Sequence, residues 1–468
     1  MKMMGWVRRR APRVWRAAVS VAVVTALASS MAACGGGGKT AAEPKVLTMW
    51  TFKQSHVKAL EAVGAEWGKT SGYTVKVTAY TPDETYATKI RAGGTTKDLP
   101  DLITAHSSWE EWSFANAGLL TDLTDKFDDG WKKQLSPSAV TETTLTQQII
   151  DSKAKDPNGN LKNLKADHFY AVPYLMGSAG LVYAYKPALK KAGLDPEKAP
   201  ESWEDWVTAM RATKAADAKS GGLTVGLQNN LTAYGWLYRP MAFGYLGPEA
   251  FKNRQGRNPT TPWDSPQSIA TLKLYGQLSD LWMPGVLALG IDQADQAFAQ
   301  GKASWLVGGT FTLPFVVQQG LKPEDILVFP IPMSKAGAER NVGLHPSPLV
   351  SAGVASTSKH QAEATDFLKF LTSPAGAKIF AAESRDVPAT AIEPSELDPL
   401  IQKMVAAFGE PGANSFKIND WSADPGGGGP ITLTTGTELA KLQANKTTPE
   451  ELGKSLAKQY ATAWAGVK

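Results

Sequence analysis

The chain of 468 residues has one cysteine, Cys34, and five histidines, His56, His106, His168, His345 and His360, with no ligand spacing between them. A single thiol excludes internal disulfides, cysteine metal sites and dithiol redox chemistry. A chain of this length does not need such staples, because it can bury sizeable cores. Scattered histidines give no metal centre. Gly-x-Ser-x-Gly, His-Glu-x-x-His and P-loop patterns are all missing. The four glycines of Asp424-Pro-Gly-Gly-Gly-Gly-Pro430 are not followed by Gly-Lys-Ser/Thr, so they read as a loop and not a phosphate cradle. Glu110-Glu111 and Asp128-Asp129 read as solvated acidic faces. A secreted glycosidase would instead need two carboxylates facing each other across about 5–10 Å. Neither a cofactor nor a metal is expected, and the chain does not read as an enzyme.

Acidic residues are missing from the first 33 positions, which carry Lys2, Arg8, Arg9, Arg10, Arg13 and Arg16 ahead of the apolar run Ala17–Ala33. That run of 17 residues falls short of the roughly 20 needed for a comfortable membrane span. Basic start, apolar middle and small-residue end make residues 1–33 a signal peptide. Met31-Ala32-Ala33-Cys34 resembles a bacterial lipobox, which implies cleavage before Cys34 and a diacylglycerol on its sulfur. Acyl chains at about 0.8 kcal/mol per buried methylene give stable anchoring. Residues 34–44, with Gly35–Gly38, are the flexible tether. Arg8-Arg-Arg-Ala-Pro-Arg13 leaves the general secretory and twin-arginine routes both open. The leader also explains the charge. Of 49 basic and 44 acidic residues, removing its six basic ones leaves 43 against 44, a net of −1. No nucleic-acid partner is implied.

From Lys45 the chain alternates strands and helices. Lys45–Thr51 reads as a strand, Gln54–Ser71 as a helix with Leu60, Val63 and Trp67 on one face, and Tyr73–Ala79 as a strand of period two. This is a βαβ opening. Pro100–Thr104, Tyr170–Tyr174, Leu181–Tyr185, Leu223–Leu227 and Ala303–Val307 read as further strands. Ser202 is placed to cap a helix to Asp217, and Thr448-Pro-Glu-Glu451 is a capping box. Fifteen tryptophans, several beside Gly, Ser or Asn, suggest flat rings for stacking on ligand C–H faces as well as core packing.

The order of several motifs resembles the extracellular solute-binding proteins of ABC importers, in the sugar-binding branch that includes maltose-binding protein. Leu99-Pro-Asp-Leu-Ile-Thr104 with Gly118-Leu-Leu-Thr-Asp-Leu123 carries the first part of the likeness. His168-Phe-Tyr-Ala-Val-Pro-Tyr174, Tyr183-Ala-Tyr-Lys186, Lys191-Ala-Gly-Leu194 and Glu201-Ser-Trp-Glu204 carry its most specific part. Phe298-Ala-Gln-Gly-Lys-Ala303 and Ser358–Ala364 with Phe367–Leu371 complete it. Ala184 stands where the family has Asn, and Gly343-Leu-His-Pro-Ser-Pro348 is an unusual lead-in.

The resemblance implies an α/β, two-lobe periplasmic-binding-protein-like fold of type II, with a ligand cleft between the lobes. The expected lobes are 45–174 plus 332–372 and 175–331 plus 373–468, with passages near Tyr174, Ile331 and Ser373. It also implies a monomer outside the cell membrane, held by a lipid anchor, that captures a mono- or oligosaccharide and delivers it to a membrane permease. A polyamine, peptide or metal cargo on the same fold is the alternative.

A sugar needs amides, acids and His for its hydroxyls and flat rings for its C–H faces. Such groups follow several strands: His106, Ser107 and Trp109; Asn229 and Asn230 with Tyr234 and Trp236; Gly309 with Phe311. The family resemblance adds Gln54, Glu84 and Trp421 as ligand contacts.

Overall fold

The computed structural model describes residues 45–467 except 82, 155–159, 229, 410–413, 419 and 428. Cys34, the leader and the tether therefore lie outside the described residues. So do Asn229 and the side chains of Glu84 and Asn230. The strands in chain order are β1 (Val46–Thr51), β2 (Thr74–Ala79), β3 (Leu102–His106), β4 (Val172–Gly177), β5 (Ala179–Tyr185), β6 (Leu223–Thr224), β7 (Trp305–Gly309), β8 (Ile326–Pro330), β9 (Gly343–Leu344), β10 (Ser347–Val354) and β11 (Ser415–Phe416).

The βαβ opening forms as its periodicity dictates. β1 and β2 pair in parallel, and the helix Val57–Ser71 buries Leu60, Val63 and Trp67. A Cβ at Gly64 would lie 2.5 Å from the Cβ of Val75, so glycine lets this helix rest directly on β2. The helix ends at Gly72, at φ 75°, whose N–H bonds the Gly68 carbonyl. The first sheet runs β2-β1-β3-β10-β4, with β10 antiparallel to both β3 and β4. The second runs β6-β7-β5-β8, and β5 and β7 are almost wholly buried, as strands covered on both faces must be. Leu223–Leu227 pairs over two residues only, because Val225–Leu227 turns away and Gln228 N–H bonds the Leu289 carbonyl.

The chain passes from the first sheet to the second between β4 and β5, leaves the second after β8, pairs β9 with β11 in a separate two-stranded sheet, and rejoins the first sheet at β10. Residues past Ile331 remain with the second half: Ala338 and Glu339 bond the carbonyls of Tyr245 and Gly244. The helix Pro374–Ser384, capped by Ser373, packs on Val57–Ser71 of the first half, and Ala389 N–H bonds the Tyr174 carbonyl beside β4. Pro399–Val405 then packs on β8. Backbone pairing thus holds residues just past Ile331 against the second half, and helix packing holds those just past Ser373 against the first.

Candidate functional site

In the first half, the loops after β1 and β3 meet. His56 is fully buried, its Nδ1 3.1 Å from the Tyr174 hydroxyl and its Nε2 3.2 Å from an Asp386 carboxylate oxygen. Burial holds the imidazole below its ordinary pKa, with the Asp386 hydrogen bond opposing. This pin fixes the turn Gln54–His56, and Gln54 stands exposed at its start.

His106 ends β3. It lies 3.0 Å from Glu110 Oε2 through Nδ1 and 3.2 Å from Asp83 Oδ2 through Nε2. Burial opposes its charge, but the two carboxylates prevail and push its pKa up to about 9, so it is an imidazolium that donates from both nitrogens. Its ring stacks on Phe52 at 4.3 Å and on Trp109 at 5.3 Å. Trp109 is 60% exposed, which leaves a broad indole face free.

Glu110 and Glu111 are not on a solvated face; they are 5% and 2% exposed. They turn inward because Glu110 accepts from the His106 N–H and ring, while Glu111 accepts from Ser108 N–H at 3.1 Å. Burial raises the Glu111 carboxyl to about 7. Ser107 is buried, and its hydroxyl is engaged with Ser351 Oγ at 2.7 Å. Glu84 lies in the helix Asp83–Thr96.

In the second half, β7 ends at Gly309, whose carbonyl accepts from Tyr183 Oη at 2.6 Å and whose N–H bonds Thr312 Oγ1. A Cβ there would meet the Phe311 ring at 2.4 Å, so glycine lets that ring fold back over the strand end. Phe311 lies 5.1 Å from Trp236, which projects from a π-helical turn, Tyr234–Tyr238. Both rings are half-buried.

Tyr234 is fully buried, with its hydroxyl accepting from Gln255 Nε2 at 3.3 Å, so its ring has no free face here. Asn230 opens the helix Asn230–Ala233 that leads into this turn. Trp421 is half-buried, 5.8 Å from Tyr234 and 3.9 Å from the Arg239 guanidinium.

The halves meet at Lys53, whose ammonium lies 5.4 Å from the Phe311 ring centroid, and the turn Gln54–His56 touches the helix Thr312–Gln318. The rings therefore form a series from Trp109 through His106 and Phe52 to Phe311 and Trp236, with Lys53 at its centre. A second bridge joins Glu142 of the helix Pro137–Thr143 to Lys417 at 2.9 Å and to His345. Phe52 and Lys53 stand beside Gln54 in the loop after β1, where a local signal existed. Glu142 lies more than two hundred positions from both His345 and Lys417, and no local pattern marks the three.

Residues 53–378 match the family of bacterial extracellular solute-binding proteins. The chain belongs to this family. Two solved structures of solute-binding proteins show the same two-lobe fold. The GacH receptor of Streptomyces glaucescens, determined unliganded and with acarbose, is 18% identical at a TM-score of 0.64, over 91% of this chain and 100% of that one. The Thermus thermophilus maltotriose-binding protein is 16% identical at 0.60, over 89% and 99%.

Among curated relatives, the sn-glycerol-3-phosphate-binding periplasmic protein UgpB of Pectobacterium atrosepticum is 22% identical over 316 residues, 66% of this chain and 65% of that protein. UgpB of Escherichia coli K12 is 27% identical over 125 residues, 26% of this chain and 27% of its own length. The chain thus spans less than two thirds of the curated relatives it matches. The family and these relatives are binding proteins and not enzymes. Among the described residues of this solute-binding protein, no helix is long and apolar enough to cross a membrane.

Proposed function

We propose that this solute-binding protein captures a mono- or oligosaccharide between its halves and delivers it to the permease of an ABC importer. The observation that carries this reading is the ring series from Trp109 to Trp236 across the junction. Flat rings, the His106 imidazolium among them, cover sugar C–H faces, while Gln54, Lys53 and the amides at Asn229 and Asn230 supply hydroxyl partners. Trp421 extends the apolar wall, and the Gly309 backbone allows close approach. Lobes made of 45–177 with 347–390, and 179–344 with the C-terminal remainder, hinge at three passages and close on the ligand. The ligand's preference for the closed form makes that form the one presented to the permease. The solute-binding protein works as a monomer outside the cell, tied to the membrane by lipid on Cys34.

The test is a thermal-shift and fluorescence screen against neutral sugars, with small-angle scattering on the best hit. A saturable shift with a smaller radius supports the reading; saturation without compaction removes hinge closure. A phosphorylated polyol is the second reading. It is favoured by the Lys53 ammonium at the junction and by the curated UgpB relatives. Glycerol 3-phosphate in the same screen, bound more tightly than any neutral sugar, would select it. Labelling with radioactive palmitate, present in wild type and lost in Cys34→Ala, tests the anchor.

A further inference from the structure

Ser108 is the joint between β3 and the exposed Trp109. It stands at φ 66°, a left-handed conformation that a residue with a Cβ keeps only when its surroundings hold it there. Its N–H donates to Glu111 Oε1 at 3.1 Å, and its hydroxyl donates to the Glu142 carbonyl at 2.8 Å. Ser108-Trp-Glu-Glu111 has the spacing of a capping box, but only the glutamate's half forms, because the serine hydroxyl goes to Glu142. Ser107 beside it is tied to β10, its N–H to the Leu349 carbonyl and its hydroxyl to Ser351.

Stability alone does not account for Glu111. It is 2% exposed, and the groups that act on it most are Ser351, the Ser108 N–H and Glu110, none of them a cation. A buried carboxyl without a counter-charge costs stability, and an apolar side chain at this place in the helix Glu110–Asn116 would avoid that cost. What the acid supplies instead is an acceptor for the Ser108 N–H. We infer that Glu111 is a positioning residue for ligand capture: by holding the Ser108 N–H it fixes the left-handed turn that sets the Trp109 indole in the ring series. The His106 ring, 5.3 Å away, backs one face of that indole, and the turn decides where the other face points. Only the stacking of a sugar on that face rests on the function proposed above; the turn and its anchor do not.

Burial pushes the Glu111 carboxyl up to about 7, which separates it from its charged neighbours. Glu110 and Asp83 pair with His106, which stays charged up to about 9. Across the turn Glu142 pairs with Lys417 and His345, and Arg91 donates to Ser113 of the same helix. Once ionised, Glu111 faces Glu110 without a cation, turns towards solvent and releases the Ser108 N–H.

The test labels the full chain with 5-fluorotryptophan and follows by fluorine NMR the resonance that Trp109→Phe removes. In the wild type it should move with a midpoint at a pH of about 7. Glu111→Gln keeps a carbonyl acceptor and cannot ionise, so the resonance should stay at its low-pH position across that midpoint. His345 is present in both proteins, so only movement that Glu111→Gln removes belongs to Glu111. Glu111→Leu removes the acceptor and should displace the Trp109 resonance at every pH, with the other tryptophan resonances in place. A midpoint retained in Glu111→Gln, or a Trp109 resonance unmoved in a folded Glu111→Leu, overturns the inference. Maltose titrated into the same proteins reads the consequence for binding. Glu111→Leu should weaken it about tenfold, as Trp109→Ala does, and add nothing in a Trp109→Ala background, whereas additive losses would count against a role through Trp109. A wild type that ignores maltose while its resonance behaves as expected counts against the sugar reading and leaves the positioning of Trp109 standing.

Discussion

The two halves build their walls of the junction from different materials. The first uses charge: His106 is held as a cation between Asp83 and Glu110, two adjacent glutamates lie buried beneath it, and one indole stands exposed. The second uses shape: a glycine strand end lets Phe311 fold back, a π-helical turn presents Trp236, and a buried arginine backs Trp421. A wall built on buried ionisable groups responds to pH. A wall built on packed rings responds to volume.

The largest effect tests the shape side. Trp206 is fully buried beside Trp203 under the second sheet, and Trp206→Ala should cost about 3–5 kcal/mol in denaturant unfolding. Amide exchange should show the loss concentrated in β5–β8; equal loss in both sheets would mean that the halves do not differ in this way.

The charge side predicts a slope with pH. The His106 pKa is raised from 6.5 to about 9, so its stabilisation is full below 6.5 and fades as pH rises through 9. Solvent reaches its ring, so about 2 kcal/mol is the expected size. The Glu111 pKa is raised from 4.5 to about 7, so the folded state holds a proton that the unfolded chain has lost, and stability falls as pH rises from 4.5 to 7. Glu111→Gln should flatten that part of the curve and raise the melting temperature above pH 7. An unchanged curve would show that Glu111 is already ionised in the fold.

Ligand binding sharpens the contrast. Trp109→Ala should weaken sugar binding about tenfold with little change in unfolding, because the ring is 60% exposed. Phe311→Ala should lower both affinity and stability, since its ring packs on Trp236 and Gly309. Equal stability losses in the two variants would erase the distinction.

The smallest effect concerns a remote cap. Thr448→Ala should cost about 1 kcal/mol, because Thr448 Oγ1 and Glu451 satisfy each other's backbone N–H groups at the start of the C-terminal helix.

Much of this scaffold was readable from local pattern. The period-two run Thr74–Ala79, the helical stripe Leu60–Val63–Trp67, the Ser202 cap and the Thr448 box all form as their spacing requires. The site was legible less evenly. Strand-end positions pointed to His106, Trp109, Phe311 and Trp236, which the fold gathers into one series. The same rule chose Tyr234, which a π-helical turn directs into the core, and Ser107, whose hydroxyl Ser351 engages. Glu110 and Glu111 read as surface acids because side-chain charge alone cannot show that a backbone turn aims its N–H groups at them.

Sequence by itself determined the alternation of strands and helices, their caps and the family, because each depends on neighbours a few residues apart. Tertiary structure alone decided that Lys53 meets Phe311, that Glu142 meets Lys417, and that the buried Arg239 donates to the carbonyls of Ile418 and Asp420. Those contacts join positions whose separation along the chain carries no periodic signal, and only the packing of one half against the other brings them together.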